Sequence, residues 1–187
     1  MLEVFSSTTF LGLDYSPNEF TDNSFLSNEF FLALEKSKSI GKGTGWIPFP
    51  IIVKEGGVVV GCMPIFLKEH SYGEYIFDWA WAEAFQRHGL NYYPKLVCAI
   101  PFSPVTGPRI LAKNKEVKDL LVKALEKIMH QHKISSCHFL FTNKDDQKIL
   151  NKAGWMHRQG VQFRWENKEY KNFDDFLKTL SHRKRKK

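Results

Sequence analysis

Two apolar runs joined by a pair of glycines constrain the fold of this chain most strongly. Residues 46–53 (WIPFPIIV) and 57–67 (GVVVGCMPIFL) are rich in β-branched and aromatic side chains, and Glu55-Gly56-Gly57 joins them. Consecutive glycines accept the positive φ angles of a tight hairpin turn. Three prolines within the runs cannot donate ladder hydrogen bonds, so they indicate edges or bulges. The sequence therefore predicts a long, interrupted β-hairpin.

Helical and strand patterns alternate along the rest of the chain. The clearest helix follows Asn114, where apolar residues recur on one face as far as Met129. Further strands are predicted at 95–100, 137–141 and 155–165, and helices at 23–38, 79–88, 115–131, 145–152 and 173–180. This mixed order predicts an α/β fold in which helices pack on a partly antiparallel sheet.

The length and composition limit the classes of protein. A chain of 187 residues with 43% hydrophobic residues fits one domain, with or without a short appendage. The longest apolar runs are much shorter than the ~20 residues of a membrane helix, so no membrane span is expected. The three cysteines lie in apolar surroundings without a CxxC pair. We therefore expect reduced thiols and a cytoplasmic protein.

The net charge of +7 is concentrated at the end of the chain. Residues 183–187 (RKRKK) contribute five of these charges and leave +2 for residues 1–182. Such a tail could contact nucleic acid or another anionic surface, or it could be a solvated helix start. The nearly balanced body argues against a nucleic-acid-binding face.

Several catalytic classes lack their motifs. The seven histidines form neither HxxxH nor HExxH, and no Cys/His spacing is typical of a zinc finger, so no metal site is expected. No GxSxG elbow is present for a serine hydrolase. Cys137 and His138 are adjacent on a predicted strand, where neighbouring side chains point to opposite faces. A cysteine nucleophile is therefore not favoured either.

The stretch HSYGEYIFDWAWAEAFQRHG, residues 70–89, combines aromatic rings with titratable groups. A carboxylate beside apolar rings can have the tuned pKa that a general base requires, so the candidate catalytic residues are Glu74 and Asp78. Each residue also has a plainer interpretation: Asp78 as a helix cap, and the tryptophans as core. The candidate substrate-binding residues of this stretch are His70, Tyr72, Glu74, Tyr75, Asp78, Trp79 and Trp81.

A proline-rich loop, PFSPVTGPR, follows the predicted strand 95–100. Loops at this position of an α/β fold often bind ligands. Thr106, Gly107 and Arg109 are the candidate binding residues, because a glycine lets backbone approach closely and a guanidinium can grip a carboxylate or phosphate. Alternatively, the prolines stiffen a connection and Arg109 pairs with a surface acid. In the first case Arg109 should border one concave, partly apolar pocket with Glu74, Tyr75 and Asp78.

Three segments, HSYGEYIFDWAWAEAFQRHGLNYYPKL, PFSPVTGPR and FDDFLKTLSHRKRKK, occur in this order and resemble a bacterial family of N-acyltransferases. This is the FemAB-like branch of the GNAT superfamily, described as peptidoglycan biosynthesis/recognition proteins. The resemblance extends from Asn23 to the end of the chain. It implies a GNAT-like fold and an acceptor groove for a peptide- or sugar-like substrate, with residues 70–89 as its wall.

The resemblance also implies two GNAT-like domains in a chain about twice as long. Residues 1–170 then correspond to the first domain, and residues 171–187 to the truncated start of a basic interdomain helix. The implied acyl donor is acyl-CoA or aminoacyl-tRNA, with a second GNAT-like domain and possibly tRNA as partners. GNAT enzymes hold the CoA pyrophosphate on a Q/RxxGxG/A turn. The corresponding PFSPVTGPRILAKN has one glycine followed by proline, so weak CoA binding is expected.

Three functions therefore remain open at this point. The first is an N-acyltransferase to which this half contributes acceptor binding. The second is a recognition module without activity, and the third is a nucleic-acid-binding protein that uses its basic tail.

Overall fold

The structure is a computed structural model that describes residues 1–13 and 20–185. It divides into two compact units, Met1–His157 and Arg158–Lys187. The strands of the first unit are β1 (Leu2–Ser6), β2 (Trp46–Pro48), β3 (Ile51–Glu55), β4 (Val58–Met63), β5 (Ile65–Lys68), β6 (Lys95–Cys98), β7 (Leu111–Ala112) and β8 (Cys137–Phe139). Its helices are α1 (Asn28–Lys36), α2 (Trp79–Arg87), α3 (Lys115–His132) and α4 (Lys144–Lys152).

The eight strands form two four-stranded sheets. One sheet has the order β1-β3-β4-β7 and is antiparallel throughout. The other has the order β2-β5-β6-β8, in which only the β6–β8 pair is parallel. The fold is therefore a mixed, mostly antiparallel α/β arrangement flanked by helices, as the sequence predicts.

The predicted hairpin forms and connects the two sheets. Gly56 and Gly57 have φ angles of 58° and 84°, the positive values of a two-residue hairpin turn, and Glu55 pairs with Val58 across it. The prolines divide each arm of the hairpin in two. Residues 49–50 separate β2 from β3, and Pro64 separates β4 from β5. Each arm therefore contributes one strand to each sheet.

Two clusters of buried apolar side chains fill the first unit. In one, the rings of Phe10 and Phe31 stack with centroids 4.3 Å apart. In the other, the predicted apolar face of α3 packs on the antiparallel sheet, and Val117 approaches Gly61 so closely that a Cβ there would lie 2.5 Å from the valine Cγ1. Asn114 begins α3 by accepting a hydrogen bond from the Val117 N–H at 3.0 Å.

The predicted strand 155–165 is wrong. Trp155 packs against Phe139 with ring centroids 5.1 Å apart, and residues 156–165 are exposed without strand pairing in the described part of the chain. An alternating pattern makes a strand only where a neighbouring strand satisfies its backbone groups. The first predicted helix also differs, because a 3-10 turn at Ser24–Leu26 precedes α1.

The second unit contains α5 (Phe173–Lys178), which ends two residues before the predicted end at 180, and a separate short helix α6 (His182–Arg185) in the basic end. Trp165, Tyr170 and Phe176 form an aromatic cluster with ring centroids 5.6–6.3 Å apart. The predicted division at residues 170 and 171 concerns a longer, two-domain protein and stays a prediction. Among the helices of residues 1–13 and 20–185, none is both long and apolar enough to cross a bilayer.

Candidate functional site

Two lysines face each other at one end of the mixed sheet. Lys68 is the last residue of β5, Lys95 is the first residue of β6, and the two are register partners. Both side chains are fully buried. Like charges directly opposite each other destabilise a sheet, so this pair requires acidic partners.

The loop between β5 and α2 provides two buried carboxylates. Glu74 Oε2 lies 2.9 Å from Lys95 Nζ, and Asp78 Oδ2 also accepts a hydrogen bond from that ammonium group. Glu74 Oε1 lies 4.0 Å from Lys68 Nζ. The two lysines balance the two acids, and we call Lys68, Glu74, Asp78 and Lys95 the buried charge cluster.

Hydroxyl groups surround this cluster and link it to a histidine. Ser71 Oγ accepts a hydrogen bond from Lys95 at 2.8 Å, and Tyr92 donates its hydroxyl proton to Asp78 at 2.5 Å. His138 Nε2 lies 3.1 Å from the Tyr92 oxygen. Because Tyr92 has a single proton, its oxygen must accept from Nε2–H of His138. This chain of hydrogen bonds connects a buried carboxylate to a half-buried histidine on β8.

Burial shifts the pKa values of the charge cluster in different directions. It lowers the pKa of Lys68 to about 7, because the nearby Glu74 carboxylate compensates only part of the cost of desolvating the ammonium. Burial also raises the pKa of Glu74. Burial opposes ionisation of Asp78 too, but hydrogen bonds from Lys95 and Tyr92 outweigh it and hold the pKa of Asp78 below its usual value.

Asp78 precedes α2 as predicted, yet its side chain makes no capping hydrogen bond. Its Oδ2 atom is occupied by Lys95 and Tyr92. No described residue donates a hydrogen bond to its Oδ1 atom or to Glu74 Oε1. The carboxylate therefore serves the charge cluster and not the helix terminus.

Aromatic rings are exposed on the outer side of the same segment. Phe77 is 73% exposed, Trp79 44% and Trp81 47%. The rings of Tyr72 and Trp79 lie 5.3 Å apart. Large exposed rings in such number within one short segment make it a candidate for ligand contact. The aromatic surface consists of Tyr72, Tyr75, Phe77, Trp79 and Trp81.

Close packing holds the inner side of this loop. A Cβ at Gly45 would lie 2.0 Å from the His70 ring, and a Cβ at Gly73 would lie 2.8 Å from the Phe102 ring. Tyr75 and Phe102 both have positive φ angles, 57° and 58°, which are costly for residues other than glycine. Strained backbone of this kind clusters at binding sites.

The proline-rich loop places its predicted residues differently. Arg109 is fully buried, and its guanidinium donates hydrogen bonds to the carbonyls of Leu140 at 2.9 Å, Pro108 at 3.0 Å and Val105 at 2.6 Å. These contacts tie the loop to the chain after β8 and assign Arg109 a structural role. Thr106 is exposed. The guanidinium therefore does not present the fork that a carboxylate ligand would need.

The backbone donors of this loop are also occupied. Gly107 N–H donates to the Phe141 carbonyl at 3.0 Å, and the N–H groups of Arg109 and Ile110 both donate to Asp146 Oδ2. A pyrophosphate cradle requires several free N–H groups pointing at the ligand. The three N–H groups are therefore not available to a pyrophosphate at the loop that the family resemblance aligns with the CoA-binding turn.

The structure brings some of the predicted residues together. Glu74 and Asp78 converge on Lys95, and His70, Tyr72 and Trp79 form a continuous line of ring contacts. Tyr75 and Trp81 are exposed nearby in sequence, whereas Thr106, Gly107 and Arg109 belong to the separate loop described above. Within the described part of the chain, no three His, Cys, Asp or Glu side chains are grouped closely enough to hold a metal ion.

Sequence reasoning missed four participants: Lys68, Lys95, Tyr92 and His138. A signal for the lysines was present, because each one stands at the end of an otherwise apolar strand, in IFLK and in KLVC. A buried lysine in such a place needs a carboxylate. No local pattern identified Tyr92 or His138. Tyr92 lies just before β6 and His138 lies on β8, and the parallel pairing of these two strands brings both residues to the site.

Comparisons with known proteins agree with this fold. The aminoglycoside N-acetyltransferase AAC(6')-Iy, solved in complex with CoA, superposes with a TM-score of 0.53 over 89% of this chain and 95% of that chain. The two sequences are 11% identical, so the similarity shows the GNAT fold alone. A comparison with curated proteins found no match. The family model for FemAB-like proteins, described as peptidoglycan biosynthesis/recognition, matches residues 12–187, and the chain therefore belongs to the FemAB-like family.

Proposed function

We propose that this chain belongs to an N-acyltransferase and contributes the surface that binds the acceptor. The reaction would transfer an acyl or aminoacyl group to an amine of a peptidoglycan-like or peptide substrate. One observation carries the proposal: the exposed aromatic surface lies on the segment whose inner side is anchored by the buried charge cluster. Membership of a family described as peptidoglycan biosynthesis/recognition supports this class of substrate.

The chemistry of the aromatic surface suits such an acceptor. Tyrosine and tryptophan rings offer large apolar faces with a polar edge, and they lose little conformational entropy when they bind. Flat rings of this kind stack on sugar rings and on peptide planes. The rings of Tyr72 and Trp79 lie 5.3 Å apart at an angle of 59°, so together they offer a ligand two differently inclined faces.

The two candidate catalytic acids have a supporting role in this proposal. Glu74 and Asp78 are both buried, and Lys95 holds both carboxylates. A general base must come within hydrogen-bond reach of the amine that it deprotonates. Neither acid reaches the surface in this conformation, so we assign them to holding the loop and its rings in place.

The acyl donor would be held elsewhere. Acyl-CoA and aminoacyl-tRNA are the two candidate donors, and the occupied N–H groups at Gly107, Arg109 and Ile110 disfavour CoA at this turn. We propose that a second GNAT-like domain, as the family resemblance implies, binds the donor. The same occupied turn favours a second candidate function, a recognition module that binds its ligand without transferring a group.

A binding experiment tests the acceptor surface. The purified chain is titrated with a disaccharide-pentapeptide fragment of peptidoglycan and followed by calorimetry, with Trp79→Ala and Trp81→Ala as variants. Each variant should weaken binding about 5- to 100-fold, since a buried aromatic contact contributes on the order of 1–3 kcal/mol. Phe173→Ala is the matched control, because Phe173 is 69% exposed but belongs to the second unit.

Two results would decide between the candidates. Equal affinity of the wild-type protein and both tryptophan variants would refute the acceptor surface. Binding without transfer of an acyl group from acyl-CoA or aminoacyl-tRNA, measured in the full-length protein, would favour the recognition module.

A further inference from the structure

Within the aromatic surface, the backbone carbonyl of Tyr72 is hydrogen-bonded to two core side chains. Its carbonyl oxygen accepts a hydrogen bond from Trp46 Nε1 at 3.0 Å and another from Lys68 Nζ at 3.2 Å. A carbonyl oxygen has two lone pairs, so both are used here. Trp46 and Lys68 are themselves buried. An exposed ring is thus attached to a peptide group that two core side chains hold.

We propose that Lys68 and Trp46 are positioning residues that fix the Tyr72 ring for contact with the acceptor. The proposal rests on the proposed function, because it takes the aromatic surface to be the place where the acceptor binds. Neither residue is expected to touch the ligand. Both act through the Tyr72 peptide group.

The side of the ring is fixed as well. The Tyr72 N–H donates to His70 Nδ1 at 3.3 Å, and the two rings lie 5.1 Å apart. His70 in turn packs on Gly45, where a side chain would collide with it at 2.0 Å. On its other side the Tyr72 ring meets Trp79. The backbone of Tyr72 is therefore held through its carbonyl and its N–H group, and its ring packs between the rings of His70 and Trp79.

A lysine at position 68 has no evident packing purpose. Its Nζ lies 3.6 Å from the centre of the Trp46 ring, a position that the terminal methyl group of a methionine could fill. Burying an ammonium group is costly, and the neighbouring Glu74 carboxylate offsets part of that cost. Besides pairing with Glu74, the lysine supplies a hydrogen-bond donor for the Tyr72 carbonyl. It provides this donor in both protonation states, because a neutral amine also carries N–H groups.

A double-mutant cycle tests whether Lys68 acts through Tyr72. The variants are Lys68→Met, Tyr72→Ala and the double variant, each titrated with the disaccharide-pentapeptide fragment. Lys68→Met should weaken binding about 2- to 10-fold, the equivalent of one hydrogen bond. In the Tyr72→Ala background the same change should have no further effect, because the ring that it positions is gone. Additive losses, or wild-type affinity of Lys68→Met beside a weakened Tyr72→Ala, would overturn the proposal.

Lys54→Met is the matched control. Lys54 also lies over an aromatic ring, with its Nζ 5.2 Å from the centre of Phe5, but it belongs to β3 in the other sheet. The same substitution there should leave the affinity unchanged. A similar loss in both lysine variants would show that removing a cation weakens binding wherever it is located, and this would contradict positioning through Tyr72.

A measurement without ligand tests the same contact independently. The Trp46 indole N–H resonance reports its hydrogen bond to Tyr72, so it should shift in Lys68→Met and not in Lys54→Met. In the wild-type protein it should also shift with an inflection near pH 7, as Lys68 loses its proton beside the charged groups Glu74, Asp78 and Lys95. The inflection should vanish in Lys68→Met.

The two measurements separate the two hypotheses. An unchanged Trp46 resonance in Lys68→Met would refute positioning by Lys68, even if the acceptor surface is correct. A shifted resonance in a protein that does not bind the fragment would refute the proposed function but leave the contact intact. Should Lys68→Met fail to fold, Trp46→Phe, which removes the other hydrogen bond to the Tyr72 carbonyl, takes its place in the double-mutant cycle, and additive losses with Tyr72→Ala would again overturn the proposal.

Discussion

Lys95 on β6 donates hydrogen bonds to Glu74 and to Asp78, two carboxylates four residues apart in the preceding loop. This single ammonium group attaches the middle and the end of the loop between β5 and α2 to the mixed sheet. The relationship makes specific predictions about stability, pH dependence and binding.

Replacing Lys95 should destabilise the protein strongly. Lys95→Met leaves two buried carboxylates without their main partner, and removing one member of a buried ion pair costs about 3–5 kcal/mol. Urea unfolding followed by circular dichroism measures the loss. Lys115→Met is the control, because Lys115 pairs with Asp119 on the exposed face of α3 and should contribute little. Equal effects of the two substitutions would contradict a buried charge cluster.

The free energy of unfolding should rise with pH above neutrality because of Lys68. Its pKa is about 7 in the folded chain and about 10.5 when unfolded, so between these values the unfolded chain binds more protons. Stability then increases with pH by at most about 1.4 kcal/mol per pH unit from this group. Urea unfolding at pH 7, 8 and 9 should show this slope in the wild-type protein relative to Lys68→Met. Parallel curves for the two proteins would argue against a lowered pKa.

The tryptophans should separate into core and surface. Trp46 is 1% exposed, and Trp46→Ala should cost about 3–5 kcal/mol. Trp81 is about half exposed, so Trp81→Ala should cost much less stability while weakening ligand binding. Thermal unfolding compares the two variants directly. A large loss of stability in Trp81→Ala would assign this residue to the core and remove it from the aromatic surface.

The isolated chain should bind acetyl-CoA weakly or not at all. In the loop between β6 and β7, the N–H groups of Gly107, Arg109 and Ile110 donate within the protein and are not available to a pyrophosphate. Calorimetric titration measures the affinity, with the aminoglycoside N-acetyltransferase that was solved with CoA as the positive control. Micromolar affinity would show that the turn rearranges, and a plain acetyltransferase would then become the better hypothesis.

Deleting residues 183–187 should leave the melting temperature nearly unchanged. Residues 183–185 belong to the short, exposed helix α6, and residues 186–187 lie outside the described residues. An exposed terminus contributes few buried contacts. Differential scanning calorimetry of the shortened chain provides the test. A marked drop in melting temperature would show that the basic tail packs against other residues.

The sequence by itself determined the elements that depend on neighbouring residues. Gly56 and Gly57 made the hairpin predictable because a tight turn needs positive φ at consecutive positions. The periodic apolar face after Asn114 likewise predicted α3, and most helices and strands were located within a few residues. The ring content of residues 70–89 could also be read from the sequence, whereas the exposure of Trp79 and Trp81 became known only from the structure.

The tertiary structure alone decided the partners. Lys68 and Lys95 are 27 positions apart, and only the antiparallel pairing of β5 with β6 places them opposite each other. The sequence made Arg109 a candidate ligand-binding residue, yet in the structure its guanidinium donates hydrogen bonds to three backbone carbonyls. Residues 155–165 alternate like a strand in sequence but do not form one, because a strand requires a neighbouring strand to pair with. Hydrogen bonds and ion pairs between distant residues depend on how the strands are ordered, and no local pattern encodes that order.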